Sequence, residues 1–141
     1  MTKRAFTLIE LIVTLIIIGI LAALSLPQFG KTREHALGKE AIANLKLIAA
    51  AEKIYRMEAS AYYPIPAGSE SSITNINNYL KLSIPTGTPP LYTDRNWNYS
   101  VTGAANTFSS TATRTATGGS YSGCTYTIDQ STDTPTTGGC P

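Results

Sequence analysis

The feature that most constrains this chain is an apolar run near its amino terminus, from Phe6 to Leu26, with twenty-one residues and one charge, Glu10. As an α-helix this run would be roughly 31 Å long, enough to cross the hydrocarbon core of a bilayer. Lys3 and Arg4 precede it, so the positive-inside rule predicts a cytoplasmic amino terminus. The sequence therefore predicts one transmembrane helix, with the rest of the chain on the far side.

A carboxylate within such a segment needs an explanation. An acid at mid-bilayer costs roughly 2.5–3.5 kcal/mol on insertion scales, and less near an interface. The residues alone leave two interpretations open: Glu10 has a partner and a function, or it is protonated or reaches the headgroups. A cleaved secretory signal, with Ala23 and Ser25 at its end, fits poorly because the apolar run is too long.

The stretch KRAFTLIELIVTLIIIGILAALSLPQF closely resembles the amino terminus of type IV prepilins and type II secretion pseudopilins. In that family a membrane prepilin peptidase cuts a short basic leader before a phenylalanine and methylates the new amine. The resemblance implies cleavage between Ala5 and Phe6 and N-methylation of Phe6, although glycine is the usual residue before the cut. Glu10 then takes the fifth position of the processed chain, where the family carries a glutamate.

The resemblance also implies a partner for Glu10, since the family pairs this glutamate with the terminal amine of a neighbouring subunit. Opposite charges attract strongly at low dielectric and offset each other's desolvation, so the pair acts mainly as a register device. Further along, Gly19 lowers helix propensity and Pro27 removes a backbone hydrogen bond. These two residues predict a weak helical stretch between them.

The chain beyond Pro27 shows helical periodicity. Apolar residues recur at three- and four-residue steps and form a stripe: Leu37, Ala41, Ile42, Leu45, Ile48, Ala49 and Ile54. This spacing predicts an amphipathic helix. Charged residues, Glu52 among them, mark the positions expected to face water. One long helix is therefore expected from Phe6 to about Ala61, ended by the Tyr-Tyr-Pro sequence that follows.

The C-terminal part is rich in turn-forming residues and predicts a short helix at Ile73–Leu80. Three β-like runs follow, NWNYSVT, NTFSSTATR and CTYTIDQ, joined by short glycine-containing links. They predict an antiparallel meander with one apolar face on the helical stripe. The expected fold class is α+β, and the resemblance implies the pilin ladle fold, in which a long helix carries a small antiparallel sheet.

Four segments are expected: a leader at 1–5, a hydrophobic helix half at 6–27, an amphipathic half at 28–62 and a C-terminal region at 63–141. Two cysteines, Cys124 and Cys140, lie downstream of the membrane segment. An oxidising compartment favours a disulfide between them over two free thiols. The resemblance implies the same bridge, because many type IV pilins pin their C-terminal region this way.

Other chemistry is sparse. The formal net charge of +2 argues against strong nucleic-acid binding. No Ser/His/Asp set, P-loop or paired metal-ligand motif is visible, so no enzyme, cofactor or metal is expected. Asp129 and Asp133 could bind calcium, which is disfavoured because the pattern of major pseudopilins is not matched. His35 is expected to be solvated, and Asn98 begins a glycosylation sequon by pattern only.

The function expected first is that of the structural subunit of a type IV pilus, stored in the inner membrane and then extracellular. The alternatives are a major pseudopilin of type II secretion and a minor or competence pilin. A membrane-anchored enzyme is disfavoured. Expected partners are copies of the same chain through their N-terminal helices, the prepilin peptidase and the assembly machinery. The disulfide tail favours the pilus subunit.

Overall fold

A computed structural model describes residues 6–64, 66–87, 95–115 and 121–140, and leaves the side chains of residues 25–28 undescribed. The elements in chain order are α1 (Leu8–Ala59), β1 (Gly68–Glu70), α2 (Ile73–Leu80), β2 (Trp97–Gly103), β3 (Phe108–Arg114), β4 (Thr125–Asp129) and β5 (Thr136–Gly138). The chain divides into two compact units, the first ending at His35 and the second beginning at Ala36. The predicted α+β class is confirmed.

The first unit contains the apolar part of α1. Its large apolar side chains are exposed from Phe6 to Leu24. No single described helix is both long enough and apolar enough to cross a bilayer, whereas the bent pair Leu8–Leu24 and Phe29–Ala59 could do so by length and composition.

In the second unit, the predicted stripe of α1 packs in the hydrophobic core. The buried apolar residues of α1 in this core are Ala41, Leu45, Ile48, Ala49 and Ala51. They share the core with alternate sheet residues, among them Val101, Ala112 and Ile128. The Trp97 indole N–H also donates to the Leu37 carbonyl oxygen at 2.9 Å, which joins β2 to the helix. Ile54 departs from the prediction, because its side chain is 54% exposed.

The sheet of the second unit is antiparallel, with its five strands in sequence order. Tyr99 lies opposite Ala112, and Ala112 lies opposite Tyr126, so one face carries the buried side chains of three strands. The predicted meander of three strands is therefore confirmed as β2–β3–β4. Two short strands at the edges, β1 and β5, were not predicted.

The chain leaves α1 earlier than the sequence suggests. The helix ends at Ala59, and Ser60 adopts a left-handed conformation with a φ of 61°. The backbone then crosses to the sheet, where the Tyr62 N–H donates to the Ala104 carbonyl oxygen at 3.1 Å. Gly103 makes this crossing possible, because a Cβ at that position would overlap the Tyr63 carbonyl. We call residues 60–64 the connection.

The short helix α2 occupies the predicted residues. Ser72 caps its first turn by accepting a hydrogen bond from the Asn75 N–H, and Lys81 ends it with a φ of 55°. The Asn77 amide then fixes the following segment, since it donates to the Ile84 carbonyl oxygen and accepts from the Ile84 N–H at 2.7 and 3.0 Å. This brings Ile84 into the core beside α2.

Candidate functional site

The first turn of α1 is closed by reciprocal hydrogen bonds between Thr7 and Glu10. The Thr7 N–H and hydroxyl both donate to Glu10 Oε2, at 3.0 and 2.9 Å, and the Glu10 N–H donates to Thr7 Oγ1 at 3.3 Å. Thr7 precedes the first helical residue, so this arrangement is a capping box. A Thr-x-x-Glu spacing before an apolar run predicts such a cap, which was not among the predictions above.

The capping box gives Glu10 a structural role within one chain. Its carboxylate satisfies donors at the helix amino terminus, where the helix dipole favours negative charge. The side chain is nevertheless exposed, so a cation from another chain can reach it. The predicted pairing with a neighbouring amine stays a prediction, and the cap must be separated from that pairing in any test.

The chain exposes a continuous apolar surface from Phe6 to Leu24. Every large apolar side chain from Phe6 to Leu24 is at least 43% exposed. Thr14, the polar side chain between Glu10 and Leu24, donates its hydroxyl to the Leu11 carbonyl oxygen at 2.8 Å. A helix with an apolar surface of this extent needs lipid or other apolar helices around it.

Three other predicted N-terminal site residues stay untested. Ala5, on the leader side of the predicted cleavage, lies outside the described residues. Gly19 lies within α1, and a Cβ there would meet no described atom within 4 Å beyond its chain neighbours and the adjacent helix backbone. The backbone of Pro27 also lies within the bounds of α1. The predicted weak stretch between Gly19 and Pro27, like the cleavage and the methylation of Phe6, remains a prediction.

The C-terminal tail carries the predicted disulfide. Cys124 and Cys140 are bonded, with their Cα atoms 4.9 Å apart and a sequence separation of 16 residues. Cys124 belongs to the hydrophobic core, and Cys140 packs against it. The bridge therefore holds the tail close to β4, where β5 already pairs with its edge.

The two acids considered for calcium serve different contacts. Asp129 Oδ1 accepts from the N–H and hydroxyl groups of both Ser131 and Thr132, at 2.6 to 3.3 Å. These bonds, the Ser131 side-chain bond foremost, lower the pKa of Asp129. Asp133 instead forms an ion pair with Lys53 at 3.3 Å. Among the described residues, no group of three or more His, Cys, Asp or Glu side chains could hold a metal ion.

Two weaker candidates have ordinary surroundings. His35 is exposed on α1. Asn98, the first residue of the sequon, is exposed on β2, and its amide oxygen accepts from Arg95 Nε at 2.8 Å. The surroundings of these two residues do not indicate a ligand or a modification.

Glu52 corrects a prediction. It was expected to face water, but its side chain is 0% exposed. Its Oε2 accepts from the Tyr63 N–H at 3.0 Å, while Oε1 has no hydrogen-bond partner among the described residues. Burial raises the pKa of Glu52 to about 7, and the Tyr63 hydrogen bond opposes that rise. Glu52 continues the stripe of Leu45 and Ile48, so the helical spacing could have indicated its burial.

Comparison with known proteins agrees with the N-terminal site. Residues 1–26 match the family model of the prokaryotic N-terminal methylation motif. The type II secretion system core protein G of Pseudomonas aeruginosa is 37% identical over 96 residues, covering 68% of this chain and 59% of that protein. The type IV major pilin protein PilA of Myxococcus xanthus is 43% identical over 60 residues, covering 43% of this chain and 27% of that protein.

Core protein G of Escherichia coli is 31% identical over 71 residues, covering 50% of this chain and 49% of that protein. The chain thus spans from about a quarter to three-fifths of the length of these relatives. An N-terminal methylation motif on a long helix with a small antiparallel sheet defines a pilin-like protein. The motif and these relatives agree with the predicted resemblance to type IV pilins and type II secretion pseudopilins.

Proposed function

We propose that the chain is a structural subunit of a bacterial type IV pilus. It is stored in the inner membrane with its amino terminus in the cytoplasm, and it then leaves the membrane to polymerise into an extracellular filament. Copies of the chain pack through the apolar first half of α1. The prepilin peptidase and the pilus assembly machinery are its partners on that route.

The observation that carries this proposal is the exposed apolar surface between Phe6 and Leu24. Within a bilayer, lipid covers such a surface, and in a filament the same surface is covered by equivalent helices of other copies. Because lipid and helix are similarly apolar, transfer between them changes the environment of these side chains little. One segment can therefore serve both storage and assembly.

Glu10 gives the packing its register in this proposal. After cleavage between Ala5 and Phe6, the chain begins with an N-methylated amine on Phe6, a cation in the same apolar setting. The Glu10 carboxylate of one copy pairs with that cation of a neighbour, so each charge offsets the desolvation of the other. The exposure of Glu10 in the single chain supports its availability for this contact.

A second candidate function, a major pseudopilin of type II secretion, is favoured by one specific observation. The match to core protein G of P. aeruginosa extends over 96 residues, beyond the N-terminal motif. The match to PilA extends over 60 residues. The disulfide-closed tail supports the pilus subunit, because the resemblance assigns this bridge to many type IV pilins. A minor or competence pilin is a third possibility within the same family.

Deletion of the gene distinguishes these functions. A pilus subunit predicts loss of surface filaments, which antibodies against the C-terminal region decorate in the parent strain, with secretion of exported enzymes unchanged. Loss of enzyme secretion with filaments retained would contradict the pilus and favour the pseudopilin. Filaments that persist in the deletion strain but are fewer, together with trace amounts of the chain in the filaments of the parent strain, would instead identify a minor pilin.

A further inference from the structure

Three contacts hold the backbone of the connection at Tyr62 and Tyr63. Tyr62 donates to Ala104, Tyr63 donates to Glu52, and the Tyr63 carbonyl passes over Gly103. Two of these contacts are between uncharged backbone groups. The third depends on a side chain that can gain or lose a proton.

The surroundings of Glu52 disfavour its ionised form. Its side chain has no exposed area, and the Tyr63 N–H is the one hydrogen-bond partner that the described residues give its carboxyl group. A buried carboxylate with a free oxygen lacks the paired charge that would offset its desolvation. The neutral acid avoids that cost and still accepts the Tyr63 bond through Oε2.

The neighbouring charged groups on α1 have other partners. Lys53 pairs with Asp133. Arg56 donates to the Tyr62 hydroxyl at 3.3 Å and to Asn106 Oδ1 at 3.0 Å. Both cations are thereby held on contacts other than the Glu52 carboxyl group.

Titratable groups on the other elements of the second unit also have partners. The Tyr63 hydroxyl donates to Glu70 at 3.4 Å, and Glu70 accepts further from Ser72 and Asn75. On the sheet, the Tyr99 hydroxyl accepts from Asn44, and Arg114 donates to the Asn96 carbonyl oxygen and lies over the Trp97 ring.

We propose that Glu52 is a proton-dependent latch that holds the connection against α1 while its carboxyl group is neutral. Loss of the proton to solvent places an unpaired charge inside the unit, and water must then enter or the side chain must leave. Either event releases the Tyr63 N–H and loosens residues 60–64. The raised pKa of Glu52, about 7, supports this assignment. The latch lies wholly within the second unit and does not depend on the proposed function.

The latch has a defined pH window. A carboxyl group with an ordinary pKa of 4.5 in the open form and about 7 in the closed form favours the closed form fully below 4.5. As the pH rises towards 7, the closed form loses up to about tenfold in equilibrium constant per pH unit. Above 7 the loss levels off, with about a further twofold change.

The test uses the full chain in detergent micelles, with ¹³C-labelled glutamate carboxyl groups and amide hydrogen exchange. The Glu52 carboxyl signal, assigned by its loss in Glu52→Gln, should titrate near 7. The Tyr63 amide protection factor, corrected for the intrinsic effect of pH, should fall by about a hundredfold between pH 4.5 and 7.

Two variants sharpen this test. Glu52→Gln keeps an oxygen acceptor for the Tyr63 N–H but cannot ionise, so its Tyr63 protection should not change with pH. Glu58→Gln removes an exposed carboxyl group from the same helix, and its Tyr63 protection should fall as in the parent chain. A Glu52 titration near 4.5 in the parent chain would overturn the latch, even if Glu52→Gln failed to fold. An unchanged pH dependence in a folded Glu52→Gln variant would do the same.

Discussion

At the scale of single residues, α1 holds two glutamates in opposite surroundings. Glu10 is exposed; its carboxylate accepts two hydrogen bonds from Thr7, and its N–H donates a third to the Thr7 hydroxyl oxygen. Its charge therefore lies at a helix terminus that favours it. Glu52 is fully buried, and one of its oxygens has no partner among the described residues. The first carboxylate is suited to meet a cation from outside, and the second is suited to stay neutral.

The capping box makes it possible to separate the two roles of Glu10. Glu10→Gln keeps a side-chain acceptor for Thr7 but removes the charge, so we expect membrane insertion to be retained and filament yield to fall at least tenfold. Thr7→Ala keeps the charge and removes the hydroxyl from the cap, which should cost the first turn about 1 kcal/mol. The yield of sheared filaments, measured against the amount of membrane-stored subunit, is the readout.

Glu10→Ala is the reference for this pair of variants, since it removes both the cap and the charge. We expect its filament yield to match that of Glu10→Gln. Normal assembly by Glu10→Gln would contradict charge pairing, and a Thr7→Ala yield as low as that of Glu10→Gln would show that the cap, rather than the charge, limits assembly.

Glu52 should also make the stability of the second unit depend on pH. Its folded-state pKa of about 7 lies above the ordinary 4.5, so its stabilising contribution is complete below 4.5 and is lost as the pH rises to 7. The loss amounts to about 3 kcal/mol. Denaturant unfolding of the full chain at pH 4.5 and 8 should show this decline, and Glu52→Gln should remove most of it. An equal decline in both chains would exclude Glu52 as its source.

The two glutamates also differ in how far the sequence could reveal them. Glu10 stands out because it interrupts an apolar run and matches a family motif. Glu52 is charged like the exposed residues of an amphipathic helix, and only its spacing from Leu45 and Ile48 places it on the buried stripe. The connection passes beside Glu52, and the Tyr63 N–H donates to its carboxyl group. The path of the connection depends on contacts between residues distant in sequence, which a local pattern does not reveal.

At the scale of secondary-structure elements, local pattern predicted the elements that have a buried face. β2, β3 and β4 alternate buried and more exposed residues, and α2 buries Ile73, Ile76 and Leu80. β1 and β5 have three residues each and little apolar content. They are strands because they pair with an existing sheet edge, so their own sequences gave no periodic signal.

The end of β2 provides a test of how the connection meets the sheet. Gly103→Ala would place a methyl group on the Tyr63 carbonyl, and we expect it to destabilise the second unit by roughly 2 kcal/mol or more. Gly68, its partner across the β1–β2 ladder, is the matched control. A Cβ there would have its nearest neighbour, the Pro66 carbonyl oxygen, at 3.8 Å. Equal unfolding midpoints for the two variants would contradict the close approach at Gly103.

At the scale of the whole molecule, the disulfide closes the C-terminal tail. A closed loop of this size, with a separation of 16 residues, is worth about 3 kcal/mol in the chain-entropy model. Reduction, or the double substitution Cys124→Ala and Cys140→Ala, should speed amide exchange in β5 more than in β2. Unchanged protection of β5 after verified reduction would mean that the edge pairing alone holds the tail.

The sequence predicts a resemblance to type IV pilins and type II secretion pseudopilins, but it does not distinguish between these two classes. The chain carries the N-terminal methylation motif and is similar both to a protein named as a pilin and to one named as a secretion core protein, so this segment does not distinguish the two classes. We expect the features that distinguish the two classes to lie in the sheet and the tail, whose contacts depend on the fold. In the tail, the Cys124–Cys140 bridge was predicted from the sequence, whereas the hydrogen-bonded turn at Asp129 was not.

The central claim is that the processed helix, beginning with a methylated Phe6, assembles into a filament. Mass spectrometry of the N-terminal peptide from sheared, purified surface fibres tests it most directly. We expect chains that begin at Phe6 and carry one additional methyl group, as the major component of the fibres. Fibres whose chains retain Met1, or that lack this chain altogether, would contradict the claim.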